Sequence, residues 1–209
     1  MCGIAAFNSK HNIPLKDMRV VLDEIGVRGI HSTGVSWFEK KVKTKIESKP
    51  YYEFDIPETE STTAIFHTRY STSNLEYPQP VFNEYGALAH NGVVTQAPFE
   101  TWNDSYGYEG DNQCDSILLL ESDEPFEDFP DSSMAVCEID QKGTLLFYRN
   151  GQRPLYYIEH VDFLVVGSTK RSIEYFGMPK TCMPGAMYLV QDGELEHIVQ
   201  PKSFKDWQI

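Results

Sequence analysis

The residues with the clearest chemical potential stand at the start of the chain, which reads Met-Cys-Gly-Ile. Removal of the initiator methionine would leave Cys2 first, with a thiol and a free α-amine on the same Cα. An α-amino group has a reference pKa of about 7.7–8.0, so a useful fraction is neutral near pH 7 and can accept a proton. This combination predicts a thiol nucleophile that is activated by its own amine.

A second candidate pair, Asn91-Gly92, follows a short apolar run that is typical of a strand. A thiolate that attacks an amide carbonyl produces an oxyanion, which needs fixed hydrogen-bond donors. The pair could supply a side-chain amide and a backbone N–H, because glycine lets the backbone approach closely. In isolation, however, Asn-Gly is also typical of a plain turn.

Three further side chains could bind a substrate with an amino-acid head group. Arg69 could bind a carboxylate through both arms of its guanidinium, and Thr72 could add a hydroxyl. Asp115 opens a mostly apolar segment and could bind an ammonium group. Each charged residue also has a structural alternative, namely a strand-end salt bridge for Arg69 and a helix N-cap for Asp115.

Strands must position most of these residues, since turn signals divide the chain into about ten short strand-like runs. Apolar residues at helical spacing over positions 15–25 predict one helix. A second helix is predicted at 113–120, although its Ile-Leu-Leu-Leu run also suits a strand, and a short third one at 170–176. Strands with inserted helices favour stacked sheets covered by helices, although periodicity alone does not choose among mixed folds.

Length and composition limit the class of protein. A chain of 209 residues suits one domain or at most two small ones, and we expect a single domain over residues 1–209. The net charge of −13 repels phosphate backbones and anionic lipids, which argues against nucleic acid as a ligand. No apolar run suits a membrane span, and no secretory signal is visible, so we expect a cytoplasmic protein without membrane contact. The acidic run at 121–131 is either a solvated loop or a docking surface for a basic partner.

Histidine and cysteine show no pattern of metal ligands. The four cysteines are widely spaced, and Cys137 lies in an apolar run that predicts a core position. His67 and His90 lie at the ends of predicted strands, and we expect both to hydrogen-bond to neighbouring loops. The other four histidines are scattered. We therefore predict neither a metal site nor a cofactor.

Five segments of the chain read, in order, Met-Cys-Gly-Ile, RGxxxxG, HxRYST, HNG and GQRPL. They occur in the same order in the class II glutamine amidotransferase family, which belongs to the N-terminal-nucleophile hydrolases. The chain is similar over nearly its whole length to members of this family, and most resembles the glutaminase domains of amidophosphoribosyltransferase and asparagine synthetase.

The resemblance implies an α+β fold, a four-layer αββα sandwich, and hydrolysis of L-glutamine to glutamate and ammonia through a γ-glutamyl thioester. It implies one role for each matching residue: Cys2 as nucleophile with its α-amine as base, Asn91 and Gly92 as the oxyanion hole, Arg69 and Thr72 for the substrate carboxylate, Asp115 for its amine, and Arg28 for ordering the loop around the N-terminus.

The chain departs from the family pattern at several positions. His31 stands where many relatives have Asp, so we expect that loop to be held differently. Ser73-Asn74 and Asn150-Gly151-Gln152 also differ from the usual motifs, which leaves the subfamily open.

The sequence does not determine what happens to the ammonia that the reaction would release. Relatives usually carry a further domain that consumes it, and this sequence, which ends at Ile209, has no room for one. We expect a separate synthase subunit to accept the ammonia; free release and a fragment of a longer enzyme remain alternatives. Two other functions stay open, namely hydrolysis of another γ-glutamyl amide and a catalytically silent binding or regulatory module.

Overall fold

Two antiparallel sheets dominate the fold. The computed structural model describes residues 2–71 and 77–199, and within these ranges the strands form one seven-stranded and one six-stranded sheet. In spatial order the first sheet consists of β11 (Lys180–Thr181), β9 (Tyr156–Glu159), β10 (Phe163–Gly167), β1 (Gly3–Pro14), β4 (Glu60–Arg69), β2 (Ser32–Glu39) and β3 (Lys41–Glu47). The second consists of β13 (Glu194–Val199), β12 (Met187–Gln191), β8 (Leu145–Arg149), β7 (Ala135–Asp140), β6 (Gly86–His90) and β5 (Val81–Phe82).

Helices are short. The α-helices are α1 (Arg19–Gly26), α2 (Trp102–Tyr106), α3 (Ile117–Leu120) and α4 (Pro125–Asp128). Single 3₁₀ segments occur at Leu15–Met18, Tyr51–Glu53, Phe99–Thr101 and Glu174–Phe176. Among the helices of the described ranges, none has the length and apolar character needed to cross a membrane.

The layers follow from the alternation of side chains along the strands. On β1, Ile4 and Ala6 pack into a core between the two sheets, whereas Ala5 and Phe7 pack into a second core that includes α1. A third core lies on the outer face of the second sheet and contains the buried residues of α3. These cores separate helix, sheet, sheet and helix layers, which confirms the predicted α+β sandwich.

Element boundaries differ from the sequence-based expectations where side chains compete with the backbone. The segment 113–120 becomes helical only at Ile117, because Asn112 Oδ1 accepts the backbone N–H of Cys114 (2.9 Å) and holds a turn there. The segment 170–176 contains a single 3₁₀ turn. Ser172 Oγ donates to the carbonyl of Thr169 (2.8 Å), a local bond of the kind that competes with helix formation.

Candidate active site

The register of the first sheet places Cys2 beside Arg69. Gly3 at the start of β1 pairs with Thr68 near the end of β4. Continuing this antiparallel register by one residue sets Cys2 across from Arg69. The start of β1 is further fixed by Ser168, whose Oγ accepts the backbone N–H of Ile4 at 3.0 Å.

Glycine at position 3 allows this close packing. A Cβ at Gly3 would collide with the carbonyl oxygen of Ile25 and with the hydroxyl of Thr68. That hydroxyl donates to the same Ile25 carbonyl at 2.9 Å, so the end of α1 is tied to β4. The residue after Cys2 therefore has to lack a side chain for β1 and α1 to approach as they do.

The second sheet contributes the other half of the candidate site. β6 ends at His90, and Asn91 Oδ1 accepts a hydrogen bond from the backbone nitrogen of Cys2 at 3.2 Å. Asn91 is held in turn by its own backbone, which exchanges bonds of 2.9 and 3.1 Å with Ala135. The candidate nucleophile and the candidate oxyanion hole thus come from different sheets that meet at one end of the sandwich.

Both candidate oxyanion donors are unused within the described part of the chain. Asn91 Nδ2 is buried and has no hydrogen-bond partner among these residues. The backbone N–H of Gly92 likewise donates to no group there. A Cβ at Gly92 would collide with the carbonyl of Ser133, so this residue must be glycine for the chain to turn here. A buried donor without a partner is costly, so the unused Nδ2 of Asn91 is informative.

A cavity of about 500 Å³ opens between the two sheets and the segments that follow them. Four of the predicted site residues, Cys2, Arg69, Gly92 and Asp115, line it together. The remaining wall is largely polar or aromatic and includes Tyr70, Tyr77, Gln79, Phe99, Trp102 and Gln113. Its size is within the range of about 300–1,000 Å³ that is typical of small-molecule sites.

Asp115 faces the cavity with one oxygen already engaged. Its Oδ2 accepts the backbone N–H groups of Val94 (2.7 Å) and Thr95 (3.3 Å), and so fixes the segment after Gly92. The other oxygen accepts no hydrogen bond from the described residues. The N-cap alternative is wrong, because Ser116 is the N-cap of α3 and no side chain caps that helix.

Arg28 lies behind the start of β1. Its Nη1 donates to the carbonyl of Ser168 at 2.9 Å, and Ser168 in turn holds Ile4. Burial lowers the pKa of Arg28, and the charge of Arg153 acts in the same direction, whereas Cys2 acts in the opposite one. Arg28 therefore supports the start of β1 through Ser168.

His31, which stands where an Asp was expected, contacts the end of β4 and the residues that follow it. Its Nδ1 accepts the backbone N–H of Ser71 at 2.9 Å, and the backbone N–H of His31 donates to the carbonyl of Arg69 at 2.9 Å. The imidazole also stacks on Tyr70, with ring centroids 4.9 Å apart. His31 therefore fixes the three residues 69–71 directly.

His90 takes part in a buried network, as predicted. Its Nδ1 lies 2.9 Å from Ser116 Oγ, its Nε2 lies 3.1 Å from the carbonyl of Ser133, and its backbone N–H donates to Gln79 Oε1 at 2.7 Å. Gln79 Nε2 completes the network by donating to Ser116 Oγ at 3.1 Å. Burial lowers the pKa of His90 and keeps the ring neutral, although the nearby Asp115 charge acts in the opposite direction.

The hydrogen bonds predicted for His67 are wrong within the described ranges. Both ring nitrogens are buried and lack a partner there. Burial, assisted by the positive charge of Arg69, lowers the pKa of His67 to about 3. His67 is thus a neutral residue of the sandwich interior.

Sequence reasoning missed several residues that support the site, and one predicted residue cannot be placed. Gln79, Ser116 and Ser168 are small polar residues with no local pattern to mark them, and only the fold shows their partners. Thr72 lies outside the described residues, so its role stays a prediction.

Comparison with known proteins extends these observations to the fold. No family model matches the chain, and no curated protein matches it. Among solved structures, the chain is similar to glutamine phosphoribosylpyrophosphate amidotransferase from B. subtilis in complex with ADP and GMP, with a TM-score of 0.77 and 20% identity. That match covers 95% of this chain and 49% of the other.

Two further structures show the same fold. One is described as the allosteric regulatory enzyme of purine biosynthesis, with a TM-score of 0.77, 19% identity and coverage of 95% of this chain and 49% of the other. The second is a glutamine aminotransferase class-II domain protein from Silicibacter pomeroyi, with a TM-score of 0.63, 14% identity and coverage of 95% and 98%.

The chain therefore has the fold of a class II glutamine amidotransferase domain, as the sequence resemblance predicted. It spans about half the length of the first two structures. At these identities the likeness concerns the fold, and the chemistry has to be argued from the site itself.

Proposed function

We propose that this protein hydrolyses the side-chain amide of L-glutamine to glutamate and ammonia, with Cys2 as the nucleophile. The observation that carries the proposal is the shared cavity, in which Cys2, Arg69, Gly92 and Asp115 meet while Asn91 holds the nitrogen of Cys2. A thiol, a base, oxyanion donors and groups for both ends of an amino acid are the parts that amide transfer to a thiol requires.

The first proton transfer depends on the hydrogen bond between the nitrogen of Cys2 and Asn91 Oδ1. With Met1 removed, the nitrogen of Cys2 is a primary amine that donates one hydrogen to Asn91 Oδ1. Its lone pair is then free to accept the thiol proton. The thiolate attacks the amide carbon, and the negative charge collects on the carbonyl oxygen, where Asn91 Nδ2 and the N–H of Gly92 can donate.

Two bond changes complete the turnover. When the tetrahedral intermediate collapses, the C–N bond breaks and the amine returns its proton to the departing nitrogen, so that ammonia leaves. Water then attacks the γ-glutamyl thioester with the amine as base, which releases glutamate and restores the thiol. No further reactant is required.

Substrate orientation follows from opposite charges in the cavity wall. Arg69 binds the α-carboxylate of glutamine, and the unused oxygen of Asp115 binds the α-ammonium group. Binding at both charged ends holds the side-chain amide at the thiol, which is a proximity effect. Arg28 supports this arrangement indirectly through Ser168 and the start of β1.

The experiment that tests the proposal compares glutamate release by wild type and Cys2→Ala. We expect the variant to lose turnover completely while it remains folded. Cys137→Ala is the matched control, since it makes the same substitution in the core between the sheets and should retain activity. Full activity of Cys2→Ala would exclude the proposed mechanism.

We include an ammonia acceptor in the proposal, in the form of a separate synthase. The B. subtilis structure is named as an amidotransferase, and this chain matches about half of it. Tyr70 and Val93 line the cavity and are exposed, at 48% and 41% respectively, so apolar surface is available at the cavity mouth for a partner. Rapid glutamine hydrolysis by the isolated chain without an acceptor would argue against such coupling.

Substrate choice can be tested in the same assay. Because Arg69 and Asp115 recognise only the amino-acid end, turnover of γ-glutamyl amines should be measured beside that of glutamine. We expect the higher kcat/KM with glutamine. A preference for a substituted amide would instead assign the site to that substrate class.

A further inference from the structure

A second cavity, of about 540 Å³, lies on the outer face of the six-stranded sheet. It shares no lining residue with the candidate active site. We call it the acidic cavity, because its wall contains the four carboxylates Glu121, Asp123, Glu138 and Asp140. Part of this wall belongs to the acidic run at 121–131, whose role the proposed function leaves open.

The four carboxylates have no basic counterpart. No Lys, Arg or His lines the acidic cavity, and none of the four takes part in a salt bridge within the described ranges. Asp140 caps a turn by accepting the N–H groups of Lys142 and Thr144, and Glu121 accepts a bond from Asn83. The side chains of Glu138 and Asp123 make no hydrogen bond to the described residues.

Tyr148 provides an independent sign of a missing ligand. It lines the acidic cavity from β8, is only 1% exposed, and its hydroxyl has no hydrogen-bond partner in the part of the chain that the structure describes. Phe126 packs edge-on against its ring, with centroids 5.5 Å apart, so the ring is held in place. A buried hydroxyl without a partner is rare in folded proteins and calls for an explanation.

Glu138 supports the same conclusion. Burial, together with the charge of Asp140, raises the pKa of Glu138 to about 8. A cation in the acidic cavity would stabilise the ionised form and compensate this repulsion. In addition to Asp140 on its own strand, the titratable groups that line the cavity around Glu138 are Tyr148 on β8, Glu121 and Asp123 after α3, and Tyr85 after β5.

We propose that the acidic cavity is a binding site for an alkylammonium group, either a free amine or the side chain of a lysine. Leu146 and Met187 supply apolar wall for the aliphatic stem, while the carboxylates and the Tyr148 hydroxyl bind the charged head. A metal ion is a poorer fit, because no group of three or more potential ligand side chains in the described ranges could hold one.

Calorimetric titration with n-butylammonium chloride tests the site. We expect saturable binding by wild type and at least a tenfold loss of affinity in Glu138→Gln and in Tyr148→Phe. Glu127→Gln is the matched control, since Glu127 is an exposed acid of the same run that does not line the cavity. Neutral 1-butanol should not bind. Equal binding by wild type and both cavity variants, or equal binding of the alcohol, would overturn the proposal.

Proton release provides a second readout. At pH 7.5 the Glu138 carboxyl is partly protonated, so binding of the cation should release protons into the buffer. Titration in two buffers of different ionisation enthalpy measures this release, which should disappear in Glu138→Gln. Binding by wild type without proton release would contradict the assigned role of Glu138.

The source of the ammonium group is distinguished by a second probe, Nα-acetyl-lysine methylamide. Tighter binding of this probe than of n-butylammonium assigns the site to a lysine of a protein partner, and the reverse order assigns it to a free amine. If neither binds, the proposal is wrong. Cys2→Ala should bind both probes like wild type, so this test is independent of the proposed glutaminase activity.

Discussion

Replacing Asn91 by Asp separates the two roles proposed for this side chain. Asn91 Oδ1 accepts the hydrogen bond from the nitrogen of Cys2 at 3.2 Å, whereas the buried Nδ2 has no partner in the described ranges. Aspartate has nearly the same shape and keeps an acceptor for Cys2. It replaces the Nδ2 donor by an oxygen, so the proposed oxyanion contact is lost, and it adds a negative charge at the same place.

The expected effect is large and specific to the chemical step. Loss of one oxyanion-hole donor costs about 2.7–4 kcal/mol, or about a hundredfold to a thousandfold in kcat. A carboxylate beside the developing oxyanion adds repulsion, so we expect at least the lower limit. KM should change little, because Asn91 is not proposed to bind the amino-acid end of glutamine.

Steady-state glutamate release, measured with a coupled dehydrogenase, gives kcat and KM separately. Asn91→Ala should show a similar loss of kcat, since it also lacks the donor. Thermal unfolding has to accompany the assay, because Asn91 is only 2% exposed and a buried charge is destabilising. A folded Asn91→Asp enzyme with kcat within tenfold of wild type would refute the oxyanion role of Nδ2.

Three further predictions concern the residues around the candidate site. Arg69→Lys keeps the charge but loses the two-armed geometry, so KM for glutamine should rise at least about tenfold, or ~1.4 kcal/mol; an unchanged KM would remove Arg69 from the binding site. His31→Ala removes the acceptor for the Ser71 N–H and the stacking on Tyr70, so steady-state kinetics should show KM raised about fivefold, and His31→Asn should be milder if the acceptor matters. His67 has a pKa of about 3 when folded and a reference value of 6.5 when unfolded, so only the unfolded state takes up its proton as the pH falls from 6.5 towards 3. Between pH 7.5 and 5, urea denaturation should therefore show that wild type loses about 2 kcal/mol more unfolding free energy than His67→Leu, and parallel losses would contradict the burial argument.

Apolar runs bounded by turn signals were sufficient to locate strands such as β1, but they did not determine how the two sheets stack. Ile4 and Ala6 face the second sheet, while Ala5 and Phe7 face α1, and all four are apolar because both faces of β1 are covered. Helix limits were less predictable. The four-residue helix Ile117–Leu120 begins late because of a side-chain turn that the apolar pattern of 113–120 does not reveal.

Residue types indicated several residues that line the cavity, but not the hydrogen bonds that join them. Cys2 and Asn91 are 89 positions apart, and their hydrogen bond depends on how the two sheets face each other. The same holds for Gln79 and Ser116, which are ordinary polar residues until the fold brings them to His90. Contacts between sheets of this kind have no local signature in a single sequence.

The structure of the acidic run at 121–131 could not be predicted from its charges. Its charges predicted either a solvated loop or a docking surface, yet Phe129 is buried in the outer core and Phe126 packs against it. Pro125 begins α4 within the same run. Charge patterning alone did not reveal that the segment forms one wall of a cavity, because the opposite wall comes from strands that follow it in sequence.

The most direct test of the central claim is mass spectrometry of wild-type protein that is quenched with acid during glutamine turnover. The mechanism predicts an N-terminal peptide that begins at Cys2 and carries a γ-glutamyl group on its thiol, which hydroxylamine removes. Turnover that proceeds with Met1 still attached, or with the γ-glutamyl group on any other residue, would contradict the assignment of Cys2 as the amine-activated nucleophile.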